Sequence, residues 1–227
     1  MPQDPAYHQF ADDRLITGVS NFWNVSSNVA FILVGLLGIV TLLLRSTASL
    51  PSGALPIYAL FFVSLILVGL GSGYYHLAPN NPTLVWDRLP MTLAFMAFFC
   101  AIVGEFISYK LALRLLIPLV ILGGMSVVYW AYTESINQGD LRFYIVIQFL
   151  PMLLIPLILF LYKGNSRYSP YIWMVLAWYV LSKLFEFWDQ PIYELTGSVS
   201  GHALKHVAAA IGTFFFYLLV RSRLKAE

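Results

Sequence analysis

Residues 71–80 read GSGYYHLAPN and close an apolar run that begins near residue 54. Ser72 and His76 stand four apart, which on a helix places both side chains on one face. Pro79 and Asn80 then end the run. A polar pair at the end of a membrane-buried segment needs partners or a function. The rest of the chain decides whether the run is a membrane helix and what lies at the depth of His76.

A helix crossing the hydrocarbon core needs roughly 20 mostly apolar residues. Seven stretches meet that length, at approximately 22–45, 54–77, 84–107, 111–133, 142–163, 168–189 and 200–221. Backbone groups in lipid must pair within their own segment, so the stretches are expected to be helices. The expected fold is all-α: a polytopic membrane protein, a seven-transmembrane-helix bundle. The connections are short and rich in Pro, Gly, Asn and Ser, so residues 1–227 form a single domain, with a polar segment at 1–21 and a tail at 222–227. Of the 227 residues, 59% are hydrophobic and 11% charged, and neither a basic face nor a charge run is present. That composition argues against disorder and against nucleic acid as a partner. The lone Cys100 has no intrachain partner for a disulfide and reads as a small buried apolar side chain. The polar, mildly acidic start lacks the basic region of a cleavable signal, so the first apolar segment is expected to stay as an anchor.

Basic residues orient the bundle. With the N-terminus outside, the inner face receives Arg45, Lys110, Arg114, Lys163, Arg167, Arg221, Arg223 and Lys225. The outer face receives Arg14 and Arg142 together with Asp4, Asp12, Asp13, Glu134 and Asp140. The excess of Lys and Arg inside favours an outside N-terminus and a cytoplasmic C-terminus. Trp23, Trp86, Trp130 and Trp188 fall near outer span ends, as an aromatic belt would.

On that topology His76 ends span 2 and Asp87 opens span 3, both at the outer end. GHALKH opens span 7 and carries His202 and His206 one turn apart on one face. Three of the four histidines therefore share a depth, while His8 lies in the polar segment and reads as solvated. Three converging imidazoles suit a catalytic zinc, which keeps a position for water. The glutamate of the familiar HExxH pattern is absent, since Ala203, Leu204 and Lys205 separate the pair. Asp87 is the candidate general base, and Ser72 the candidate donor to a developing oxyanion or to a water. Singly, each of these residues has a structural use: a helix-end hydrogen bond for a histidine, a bond to its own helix for Ser72, a cap for Asp87. Their shared depth favours the metal site.

SGYYH, with Asp87 eleven residues beyond its histidine, and GHALKH in the last span resemble the alkaline ceramidase family. That family belongs to a superfamily of seven-span hydrolases with the adiponectin-receptor and hemolysin III-like proteins. SNFWNVSSN at the start of span 1 resembles the ceramidase branch in particular. The resemblance implies an intramembrane zinc amidase. His76, His202 and His206 would hold zinc, Asp87 would orient or deprotonate the attacking water, and Ser72 would support the oxyanion. The substrate would be a ceramide-like N-acyl sphingoid lipid, cleaved to a sphingoid base and a fatty acid, its long acyl chain lying in a cavity open to lipid. The family also carries a calcium-binding acidic cluster with a glutamate ahead of FWN. Asn21 stands at that position here, with Asp12 and Asp13 as the nearby acids, and Asn lacks the charge that raises calcium affinity.

Lys183, Glu186 and Asp189 lie three apart near the end of span 6 and are expected to form a paired strip facing the bundle. Lys205 is expected to pair with Glu186 or Asp189, and Glu105 to reach the inner interface. Competing readings are a non-enzymatic seven-span receptor or light sensor, a metal transporter, and a zinc hydrolase acting on another lipid amide or ester. Lys205 lies too near a helix end for a mid-membrane chromophore, and the inner halves of spans 2, 3 and 7 read as nearly all apolar, which disfavours a transport path. The expected location is the cell (inner) membrane, with the site near its outer face.

Overall fold

The computed structural model describes residues 1–162 and 167–224. Lys163 and Lys225, used above to orient the chain, lie outside the described residues, as do the last residue of the fifth expected span and half of the tail. The described residues hold a short 3-10 turn, Pro5–His8, and the helices α1 (Phe22–Ser26), α2 (Val29–Leu44), α3 (Ala54–Leu77), α4 (Asn81–Phe106), α5 (Tyr109–Ser135), α6 (Arg142–Leu161), α7 (Ser169–Phe187), α8 (Asp189–Thr196) and α9 (Gly201–Arg223). No strand is present among them.

Six segments are long and apolar enough to cross a membrane: Phe22–Leu44, α3, α4, α5, α6 and α9. The chain is an all-helical integral membrane protein. The sixth expected span, α7, falls short of that standard. Lys183 and Glu186 sit in its last turns and lower its hydropathy. The first span is broken, since α1 ends at Ser26 and α2 begins at Val29. The last connection, expected to be a loop, contains α8, which stops at Gly197 in the left-handed conformation (φ 64°).

Local sequence explains where the helices start. Asn80 accepts from the Thr83 N–H at 2.9 Å while its own N–H donates to Thr83 Oγ1 at 3.2 Å. This reciprocal cap, with Pro82 in the first turn, starts α4 three residues earlier than hydropathy indicated. Ser200 caps α9 by accepting from the Ala203 N–H at 3.1 Å. The helices form a curved wall in which α3 lies between α2 and α4, α4 contacts α5 and α6, and α9 joins α7 to α2. The seam between α6 and α7 is the sparse one.

The main core runs through the interior on Phe61, Phe62, Phe98, Ile102 and Phe216. One close approach positions the site. A Cβ on Gly71 would collide with the Trp86 carbonyl oxygen. Pro90 has no N–H to offer that carbonyl from the next turn of α4. Gly71 therefore lets α3 press against the open carbonyl, and this contact places Ser72 beside Asp87.

Candidate metal and active site

The C-terminal end of α3 and the N-terminal ends of α4 and α9 meet at one end of the bundle. His76, His202 and His206 are buried there, and one ring nitrogen from each lies within 4.8 Å of the others. His202 Nε2 and His76 Nε2 are 3.3 Å apart. The ring centroids are separated by 4.8 Å (His76–His202), 5.0 Å (His76–His206) and 5.0 Å (His202–His206). His76 Nδ1 is buried with no hydrogen-bond partner among the described residues. Buried polar nitrogens are normally paired. Three imidazoles gathered at this spacing, one of them incompletely satisfied, fit a cation that accepts nitrogen lone pairs. The donor set suits zinc.

The surroundings orient the rings. His206 Nδ1 is 2.9 Å from Ser27 Oγ and 3.4 Å from Asn28 Nδ2, both in the break between α1 and α2. A hydrogen bond at Nδ1 fixes the ring and leaves Nε2 for a ligand. Asn28 Nδ2 also donates to the Asn24 carbonyl at 2.7 Å, and Asn24 Nδ2 donates to the Asp12 carbonyl at 3.0 Å. Asn21 Nδ2 donates to the His76 carbonyl at 2.9 Å. The SNFWNVSSN stretch thus supports both the helix that carries His206 and the turn that carries His76. At the start of α9, the His202 N–H donates to Asp189 Oδ1 at 2.7 Å. Gly201 permits this approach, because a Cβ there would strike the Phe185 carbonyl and Asp189.

The N-terminal residues cover the same end. The Phe10 ring packs edge-on against His76 at 4.7 Å and His202 at 4.4 Å. The Ala11 N–H donates to Asp189 Oδ2 at 3.0 Å. His8, expected to be solvated, is instead half-buried and bridges Tyr75 Oη at 3.0 Å and Asn81 Oδ1 at 2.9 Å. Asp12 accepts from Arg14 Nε and Nη2, each at 2.7 Å. These bonds hold the Asp12 carboxyl below the usual carboxylate range, with its burial acting the other way. The residues considered for calcium are thus engaged within the protein through Arg14 and the His76 carbonyl, and Asp13 is exposed.

A cavity of about 430 Å³ opens beside the histidines. Its polar end carries Ser72, Asp87, Arg88, Lys183, Lys205 and His206. Below, its walls are apolar, with Phe61, Leu65, Phe98, Met152 and Val175 among them. Asp87 is buried in the second turn of α4, rather than at its first residue, and Ser72 is its neighbour across α3. Glu186 accepts from Lys183 at 2.7 Å and from Lys205 at 2.6 Å. Asp189 does not continue that strip. The chain turns at Trp188, and Asp189 heads α8, where it accepts the two backbone bonds described above. Lys205 is held by Glu186, which removes the free amine that a chromophore-binding reading requires. Tyr7 is 38% exposed as a residue and lines the cavity; desolvation there pushes its phenol up to about 12, with Glu186 and Asp87 adding to the effect and Arg88 opposing it. It stays a neutral O–H donor at any physiological pH.

Two polar groups stand where hydropathy did not anticipate them. Trp130 is fully buried rather than at the membrane surface, and its ring lies under the Arg88 guanidinium at 4.2 Å. Trp23, Trp86 and Trp188 are exposed, as a belt requires. At the opposite end of the bundle, Glu105 is buried rather than reaching the interface. It accepts from Tyr58, from Tyr109 at 2.6 Å, and from Arg223.

The fold and the site define a class: an all-helical membrane protein with three buried histidines, able to bind a metal ion, beside a largely apolar cavity. The chain matches the Ceramidase family model over residues 14–225, nearly its whole length, and belongs to that family. No individual curated protein matches it. Family membership supports a ceramide-hydrolysing role and, with it, an amide hydrolase acting on lipid.

Proposed function

We propose that the protein is an intramembrane zinc-dependent amidase that hydrolyses ceramide-like N-acyl sphingoid lipids to a sphingoid base and a free fatty acid. The observation that carries this reading is the three-histidine cluster standing at the polar end of an apolar cavity in a chain of the Ceramidase family. His76, His202 and His206 would hold the metal. Bound zinc polarises a carbonyl and lowers the pKa of water to about 7.

The other steps belong to the chain's own residues. The acyl chain lies along Phe61, Leu65, Phe98 and Met152, which brings the amide to the polar end. The Asp87 carboxylate accepts a proton from the attacking water as the new carbon–oxygen bond forms. It returns that proton to the leaving nitrogen as the carbon–nitrogen bond breaks, so the amine departs neutral. The Ser72 hydroxyl donates to the carbonyl oxygen as negative charge gathers there. Glu186 holds Lys183 and Lys205 at the cavity wall. The sparse seam between α6 and α7 supports lateral entry of the lipid.

The seven-span topology is part of the same proposal. α7 packs along α9, which is apolar enough to span, and the charges that lower its hydropathy pair with each other and with Lys205 at the cavity. With seven crossings and Lys/Arg concentrated at one face, the N-terminus lies outside, the C-terminus is cytoplasmic, and the site sits near the outer face of the cell membrane. Residues 1–227 act as one unit.

The test is elemental analysis of the purified protein together with hydrolysis of a fluorescent ceramide panel in detergent micelles. About one zinc per chain, and activity lost to a chelator and restored by zinc, is the expected result. A fully active preparation without bound metal would overturn the zinc assignment.

A further inference from the structure

Arg88 is the cavity residue that the hydrolysis does not use. It is 5% exposed and lines the cavity, which α3, α4, α6, α7 and α9 enclose. Its guanidinium lies 4.2 Å from the Trp130 ring centroid and 4.6 Å from that of Tyr144. Stacking of this kind covers the faces of the group but leaves its in-plane N–H donors unused. Nη2 donates to Gln3 Oε1 at 2.6 Å. Nε and Nη1 are buried and have no acceptor among the described residues. A buried guanidinium with idle donors is costly unless something accepts them. The charge around it is also unbalanced. The cavity is lined by three cations, Arg88, Lys183 and Lys205, against two carboxylates, Asp87 and Glu186. A neutral amide and a hydrocarbon chain use none of that excess.

We propose that Arg88 is a headgroup-recognition residue, taking an anionic oxygen on the amine portion of the bound lipid through Nε and Nη1. The substrates then include N-acyl lipids whose headgroup bears a phosphate, sulfonate or carboxylate, in preference to neutral ceramide. This inference rests on the cavity holding an N-acyl lipid, as proposed above. Arg88 and Asp87 line the same cavity, with Ser72 beside Asp87, so a headgroup anion on the guanidinium keeps the amide at the polar end that these residues share. The rigid aromatic flanks hold the fork in place before the lipid arrives. A charge-assisted hydrogen bond in such a site corresponds to about a tenfold gain in affinity or more.

Two non-hydrolysable urea-linked lipids with the same acyl chain test it, one ending in a hydroxyl and one in a phosphate. Each is titrated calorimetrically into the full-length protein in neutral detergent micelles, with free palmitate as a third ligand. The wild type is expected to bind the phosphate lipid at least about tenfold more tightly than the hydroxyl lipid. Arg88→Gln is expected to bring that ratio towards one, with Arg88→Lys between them, because an ammonium keeps the charge and loses the planar fork. Equal binding of the two lipids by the wild type overturns the proposal, whether or not the variants fold. An Arg88-dependent preference for palmitate with none for the headgroup phosphate also overturns it, by assigning the residue to the product. Catalysis does not enter these titrations. Failure to hydrolyse any amide would sink the amidase reading while leaving this result standing, and hydrolysis without phosphate preference would do the reverse.

Discussion

The two ends of the bundle each bury a polar cluster, and the clusters are built on opposite plans. At one end Glu105 is met by Tyr58, Tyr109 and Arg223, an acid surrounded by donors and a cation. The Arg223 guanidinium in turn lies 4.3 Å from the Tyr168 ring centroid. Every group there has its chemical complement in the chain. At the other end three imidazoles face one another, two of their nitrogens are 3.3 Å apart, and His76 Nδ1 has no partner among the described residues. Like groups buried together do not compensate one another's lost hydration. The first cluster is complete and fastens helices together. The second is incomplete without a guest, and that difference, rather than burial or polarity as such, sets the two ends apart.

Substitutions at the two ends are expected to fail in different ways. His206→Ala has the largest effect: bound metal is lost and hydrolysis falls to background, which elemental analysis and a ceramide assay read together. Asp87→Asn keeps the metal while lowering kcat by about a hundred- to ten-thousandfold, the range for a general acid–base group. A variant that lost metal and rate in parallel would make Asp87 a ligand instead. Glu105→Ala breaks the comparison from the other side. Removing one partner of a buried pair costs about 3–5 kcal/mol. The thermal midpoint should drop sharply, while the folded fraction keeps its metal content and its kcat. Ser27→Ala is smaller still, because it removes the nearer of two Nδ1 neighbours of His206 and leaves Asn28 at 3.4 Å. Metal affinity should weaken by about ten- to hundredfold in a competition titration with a chelator, at unchanged stability.

Much of this contrast was legible in the amino-acid sequence, and the parts that were not share a cause. Hydropathy located the apolar segments, and the i,i+4 spacing of His202 and His206 placed both rings on one face. Depth reasoning brought His76 to them. Hydropathy also assigned Glu105 to the interface, since an acid at the end of an apolar run ordinarily reaches water. Its partner Arg223 stands 118 residues away, and no local pattern reports that pairing. The same limit hid Phe10, which covers His76 and His202 from a polar segment without periodicity. Ser27 was visible in SNFWNVSSN only as part of a resemblance, because its contact with His206 spans 179 residues. Lys183 and Glu186 act in a third way. They lower the hydropathy of α7, and hydropathy alone does not report that their charges pair with each other and with Lys205 at the cavity.

The smallest expected effect concerns how the N-terminal residues are held over the histidines. Asp12 is buried, and both its carboxylate oxygens accept from Arg14, whose side chain is 37% exposed. Because the pair reaches solvent on the arginine side, its contribution is about 0–1 kcal/mol. The folded Asp12 carboxyl lies below its ordinary value, so the native state binds its proton less readily than the unfolded chain does. The stabilisation is therefore complete above about pH 4, the ordinary aspartate range, and is lost as pH falls through the lower folded value. Asp12→Asn should lower the thermal midpoint slightly at neutral pH, and the gap from wild type should close below about pH 4. A gap that stayed constant down to that pH would mean that the Asp12 carbonyl, which accepts from Asn24, anchors the segment and the ion pair does not. Phe10 lies two residues from Asp12, so a looser anchor is also read at the site, as a small rise in solvent exchange of the His76 and His202 ring protons. No such change is expected at the Glu105 end, where Tyr58, Tyr109 and Arg223 reach it from α3, α5 and α9.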